Sequence, residues 1–148
     1  GLDRDMVIEA MKDAVKAAGP NTDKGWDIWK MGDQYPPVAG STPAPQQIIL
    51  VNFGKYTKSE EIIGWAKSQK LVPATPRKVF AVSECYPTLH RDLGMDPMAV
   101  VSLKECSFGG GRGVACVWFD GSRRKAYHYW FDYGWYGSCW FAFVRESE

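Results

Sequence analysis

The chain has 148 residues, enough for one domain with its own core and short for two, and 18 basic residues against 17 acidic ones leave a net charge of +1. So even a balance gives no overall field to draw in nucleic acid or an acidic membrane, so any partner is recognised locally. No apolar run reaches membrane-spanning length, and the chain reads as soluble, although 14% aromatic residues is a high fraction that needs an explanation.

The chain opens on Gly1-Leu2 without Met and without a charged-then-apolar leader, as a processed or excised chain does. From Asp5 to Ala18, apolar residues recur at Val7, Ile8, Met11, Ala14, Val15 and Ala18, which predicts an amphipathic helix ended by Gly19-Pro20. GWDIWKM, positions 25–31, alternates as a short strand does, and positions 31–45 are too rich in Pro and Gly for regular structure. QQIILVNF, at 46–53, has the β-branched content of a central strand.

Thr57-Lys58-Ser59-Glu60 has the form of a capping box, and Ile62, Ile63, Trp65 and Ala66 then line one face of a helix ending near Lys70. Thr75-Pro76 opens a second helix through Val79, Phe80 and Val82, which Tyr86-Pro87 stops. Thr88 then caps a short turn through Leu89 and Leu93, closed by Gly94. From position 98 the period becomes two. MAVVSLKECSF, GGGR and GVACVWF read as a β-hairpin, Asp120-Gly121 as the next tight turn, RRKAYHYWF as a third strand and CWFAFVR as a last one. The order of elements predicts an α+β domain.

Little in this chain suggests catalysis. His90, beside Arg91 and Asp92, reads as a solvated surface side chain, and a His128–Cys139 nucleophile pair has no local signature behind it. GGGRG at 109–113 lacks the Lys-Ser/Thr of a phosphate loop and lies in a hairpin, so it reads as a turn. The four cysteines show no metal-ligand spacing and read as buried free thiols, with Cys106 and Cys116 the pair that could face each other across the hairpin. No compact acidic cluster of calcium-loop type is present, and no cofactor or metal is expected. The two helices after position 57 carry too few basic groups to read DNA. A cation and stacking platform of Arg123, Arg124 and Tyr129 is the fixed-specificity alternative, suited to a carbohydrate or a single-stranded nucleic acid.

The distinctive segment is AYHYWFDYGWYGSCWFAFVR: ten aromatic residues stand in the seventeen positions from Tyr127 to Phe143. Trp130, Trp135 and Trp140 recur every fifth residue, and Lys, Glu, Gln and Met are absent from 126 through Val144. This segment resembles the variable proteins of diversity-generating retroelements, in which a reverse transcriptase copies a template repeat with errors at adenines and rewrites the 3′ end of the target gene. Template codons of the AAC type can become Tyr, His, Asp, Ser, Gly, Cys, Phe or Asn, but not Trp, Lys, Glu, Gln or Met. Every residue of 127–139 other than Trp falls within that set.

The resemblance implies a non-enzymatic ligand-binding domain of C-type-lectin type, with two helices packed on an antiparallel sheet and a C-terminal variable segment. It would span 25–148, with 1–24 as an additional N-terminal helix and linker. Tyr127, Tyr129, Asp132, Tyr133, Gly134, Tyr136, Gly137, Ser138 and Cys139 would form the displayed surface, facing a variable protein or cell-surface ligand. Trp130, Trp135, Phe141 and Phe143 would be scaffold. Tyr, Ser and Gly are also the residues that antibody paratopes favour, Tyr for rigid amphipathic contact and the small residues for adaptability. The same strip would also suit a Trp- and Tyr-rich sheet core with tight Gly turns.

Overall fold

A computed structural model describes residues 23–24, 47–108 and 111–146. The predicted helix over 5–18, strand over 25–31 and loop over 31–45 lie outside the described residues. Elements run in the order β1 (Asp23–Lys24), β2 (Ile49–Asn52), β3 (Thr57–Lys58), α1 (Ser59–Ser68), β4 (Leu71–Pro73), α2 (Pro76–Cys85), α3 (Leu89–Asp92), β5 (Met98–Phe108), β6 (Gly111–Asp120), β7 (Arg123–Trp130), β8 (Gly134–Trp135) and β9 (Cys139–Arg145). The fold is α+β, with a seven-stranded sheet in which six strands run in the order β1-β7-β6-β5-β9-β2 and the seventh, β4, pairs with β9 off this path, and with a two-stranded β3-β8 ribbon. No helix among the described residues is long and apolar enough to cross a membrane.

The sheet is mixed. β5-β6-β7 is an antiparallel meander, but β5 pairs in parallel with β9 and β1 in parallel with β7. β9 runs antiparallel to β2, and its C-terminal half also pairs with β4. Since Phe143 faces both Ile49 of β2 and Pro73 of β4, β4 must continue the edge that β5 vacates. The strand predicted as central, β2, is therefore the outermost described strand on its side.

At the centre of this sheet both faces are covered, so 98–101 of β5 and 114–117 of β6 read as continuous apolar runs. Val79 and Phe80 of α2 pack on Met98, Val100, Ala115, Val117, Phe119, Ala126 and Ala142. Ile62 and Ala66 of α1 pack on the opposite face, with Ala99, Val101, Val114, Cys116, Phe141 and Phe143. The two helices thus lie on opposite faces, because strict alternation along β5, β6 and β9 leaves an apolar surface on each side.

Helix boundaries follow local chemistry in one case and tertiary pairing in another. Thr75 caps α2 as expected, its Oγ1 accepting the Lys78 N–H at 3.4 Å. The capping box at Thr57 is not formed: α1 starts at Ser59 with no side-chain cap, since Thr57 and Lys58 pair instead with Trp135 and Gly134. The Asp120-Gly121 turn forms, with Gly121 at φ +59, a conformation that favours Gly. His90, read as a surface residue, is buried beneath this turn; its Nε2–H donates to the Gly121 carbonyl at 2.7 Å and its ring lies 5.4 Å from Phe119.

The cysteines divide. Cys116 is a buried free thiol, and the hairpin register sets it opposite Val101 while Cys106 faces Gly113, so the two are not cross-strand partners. Cys139 is buried and free, whereas Cys85, at the end of α2, is exposed.

Candidate functional site: a tyrosine surface at the end of the sheet

β7 leaves the sheet at Trp130 and the chain reverses through 131–133. The Phe131 N–H donates to the Arg112 carbonyl at 2.9 Å and the Tyr133 N–H to the Trp130 carbonyl at 3.2 Å. Gly134 and Trp135 then pair with Lys58 and Thr57. A second turn follows, in which the Cys139 N–H donates to the Tyr136 carbonyl at 3.1 Å before the chain re-enters the sheet as β9.

Groups outside the segment hold these turns. The Asn52 side-chain amide donates to the carbonyls of Gly137 at 2.7 Å and Cys139 at 3.0 Å. The Ala99 N–H donates to the Ser138 carbonyl at 3.1 Å. The Trp135 indole N–H donates to Ser59 Oγ at 2.7 Å, and its ring packs 4.9 Å from Tyr129 and 5.8 Å from Phe141. Gly137 lies against the chain reversal at Gly54: a Cβ on it would stand 3.0 Å from the Gly54 carbonyl carbon and 3.2 Å from the Lys55 nitrogen.

The segment therefore splits into two sets. Asp132, Tyr133 and Tyr136 are exposed, the two tyrosines at 54% and 72%, while Phe131 and Trp135 are buried at 4% and 3%. Tyr127, Tyr129, Gly134, Gly137 and Ser138 are half-buried. Cys139 departs from the expected displayed set: at 8% exposure it faces the α1-side core, and burial pushes its thiol up to about 11. Among the expected scaffold residues, Trp135, Phe141 and Phe143 are buried and Trp130 is half-buried.

Tyr129 ties the two sets together. Its ring lies 5.5 Å edge-on from Tyr133. Burial raises its hydroxyl pKa, and the neighbouring phenols of Tyr136, Tyr133 and Tyr56 raise it further. Tyr127 sits deeper, where burial and the adjacent Cys116 raise its pKa. Tyr56, from the loop before β3, joins the exposed set at 56%, its ring 5.7 Å from that of Tyr136. No periodicity or motif in the sequence singled it out.

Arg112 borders this surface. Its guanidinium pairs with Asp132, lies 3.4 Å from Glu105 and 3.8 Å from Glu60, and stands 4.3 Å above the Phe131 ring. The Asp132 hydrogen bond is the largest influence raising the Arg112 pKa. Read from sequence as part of a turn, Arg112 instead belongs to β6 and fixes the 131–133 reversal by its carbonyl and its charge.

The platform of Arg123, Arg124 and Tyr129 is not assembled. β7 directs Arg124 to the α2 face, where it is buried, donates to the Ser83 carbonyl and pairs with Glu84 at 3.1 Å; Tyr129 packs on the opposite face. Arg123 and Lys125 instead edge a hollow of about 230 Å³ with Trp118, Asp120 and Arg124. His128 and Cys139 are likewise on opposite faces, His128 opposite Ala115 of the α2-side core and Cys139 in the α1-side core. Among the described residues no group of three or more His, Cys, Asp or Glu side chains could hold a metal ion.

What the surface offers is a set of phenol rings and hydroxyls at low conformational cost, with an ion network at one end. No protein-family model, curated protein or solved structure matches this chain.

Proposed function

We infer that the chain is a non-enzymatic ligand-binding protein, that segment 127–139 with its tyrosines is the binding surface, and that this surface is one version of a sequence diversified by adenine-directed retroelement copying. The observation that carries the reading is the division within YGWY: Tyr133 and Tyr136 project into solvent while Trp135 between them is buried and hydrogen-bonded to Ser59. A core-forming strip would bury its tyrosines along with its tryptophans. Exposed tyrosines of this density are costly to solubility and are characteristic of interface centres and paratopes, so the natural partner is a protein surface.

A C-type-lectin-like arrangement is supported by two main helices, separated by the short strand β4, that precede a meander and a closing strand, and by the return of β9 beside β2. The buried residues of the segment lack the freedom that display requires: diversification is expected chiefly at 129, 132, 133, 134 and 136, with Cys139 and Gly137 restricted by packing.

Replacing Tyr133 and Tyr136 together by Ser tests the display role, with Asp132 kept in place so that its pairing with Arg112 is preserved. The combined variant should unfold within about 0.5 kcal/mol per site of the parent, as surface substitutions do. A loss of several kcal/mol would make these side chains part of the core and end the reading.

A further inference from the structure

We propose that Tyr56, outside the diversified segment, is a fixed member of the binding surface, and that the residue at 134 determines whether it takes part. The inference rests on the binding role above and extends the site to a second stretch of chain.

Three contacts place Tyr56. Its backbone follows Gly54, whose φ of +67 turns the chain and whose carbonyl packs against Gly137. It immediately precedes β3, and the Thr57–Trp135 and Lys58–Gly134 pairing holds that strand against the variable loop. The ring then lies across the backbone of Gly134: a Cβ built there would collide with the Tyr56 hydroxyl and ring carbons. In that position the ring meets Tyr136 edge-on and leaves more than half of the side chain in solvent.

Gly134 is thus the space that Tyr56 occupies. Any other residue at 134 must push the phenol off the loop, and the exposed ring can move without disturbing the core. With Gly134 the surface runs continuously from Tyr56 through Tyr136. A larger residue removes Tyr56 and substitutes its own side chain. One position within the segment therefore changes two contact residues at once, which makes it specificity-determining beyond its own side chain.

The test pans a phage-displayed random-peptide library on the whole chain and sorts captured clones by their response to Tyr136→Ala. Clones that need Tyr136 should lose at least about tenfold in capture on Tyr56→Ala, and comparably on Gly134→Ala, whose thermal midpoint should stay within a few degrees of the parent. Fluorine NMR of 3-fluorotyrosine protein supplies an independent readout: the Tyr56 resonance should shift on both Tyr136→Ala and Gly134→Ala. Clones that require Tyr136 yet ignore Tyr56→Ala, or a Tyr56 resonance indifferent to position 134, would overturn the proposal. A library yielding no clone sensitive to Tyr133 or Tyr136 would instead overturn the binding role on which it rests.

Discussion

Asn52 and Gly137 stand 85 positions apart in the chain, yet the Asn52 side-chain amide donates to the Gly137 carbonyl at 2.7 Å. Its second bond, to the Cys139 carbonyl, closes the base of the same turn, so one side chain on the outermost described strand sets the path of the loop that carries Tyr136. Asn52→Ala leaves two carbonyls to find water and should cost about 1–3 kcal/mol. Urea unfolding measures the cost. Hydrogen exchange should show the amides of 136–139 opening faster while those of β5 and β6 stay protected.

The two glycines Gly137 and Gly64 should respond to Ala with opposite signs. In Gly137→Ala the new methyl meets rigid backbone at Gly54 and Lys55, an overpacking expected to cost about 1–3 kcal/mol. Gly64 lies exposed within α1 with open space around it, so Gly64→Ala should stabilise by about 0.5–1 kcal/mol through reduced backbone freedom in the unfolded chain. Thermal unfolding of both variants gives the comparison.

Trp135 supports the surface from beneath. Trp135→Phe removes the indole donor to buried Ser59 and leaves a gap between Tyr129 and Phe141. The expected loss is about 2–4 kcal/mol, from an unsatisfied hydroxyl together with a small cavity. Phe141→Ala, deeper in the core, should cost about 3–5 kcal/mol. Both can be read from denaturant midpoints.

Stability should fall in alkaline solution. The folded chain holds the Cys139 proton up to about pH 11, against an ordinary thiol value near 9. Between those values the unfolded state binds fewer protons than the folded state, so unfolding free energy declines as pH rises, at a limiting slope of about 1.4 kcal/mol per pH unit for one group. Tyr127, whose hydroxyl pKa burial also raises, adds to the decline above about pH 10. Urea unfolding across pH 7.5 to 10.5 should show this loss, and Cys139→Ala should lower the slope between pH 9 and 10.5.

Elements with a strong period or turn chemistry were legible from sequence. Ile62 and Ala66 mark the buried face of α1, Thr75-Pro76 starts α2, and Asp120-Gly121 turns β6 into β7. β3, β4 and β8 were not legible, because strands of two or three residues carry no period and exist through their partners. His90 misled for a related reason: its neighbours Arg91 and Asp92 are polar, but the tertiary fold closes the Gly121 turn over it. In the site, the contrast between Trp135 and its flanking tyrosines was implied by the resemblance of the segment and not by its spacing, which suits a buried aromatic strip equally well. The burial of Cys139, the constraint on Gly137 and the presence of Tyr56 depend on contacts across some eighty positions, which local pattern does not encode.

The most direct measurement is deep sequencing of the DNA encoding residues 115–148 across a population of the source organism. Substitutions should concentrate at adenines of a nearby repeat, fall on exposed positions such as 132, 133 and 136, and spare the codons of Trp135, Phe141 and Phe143. A segment identical across the population, or substitutions spread evenly over buried and exposed positions, would contradict a diversified binding surface.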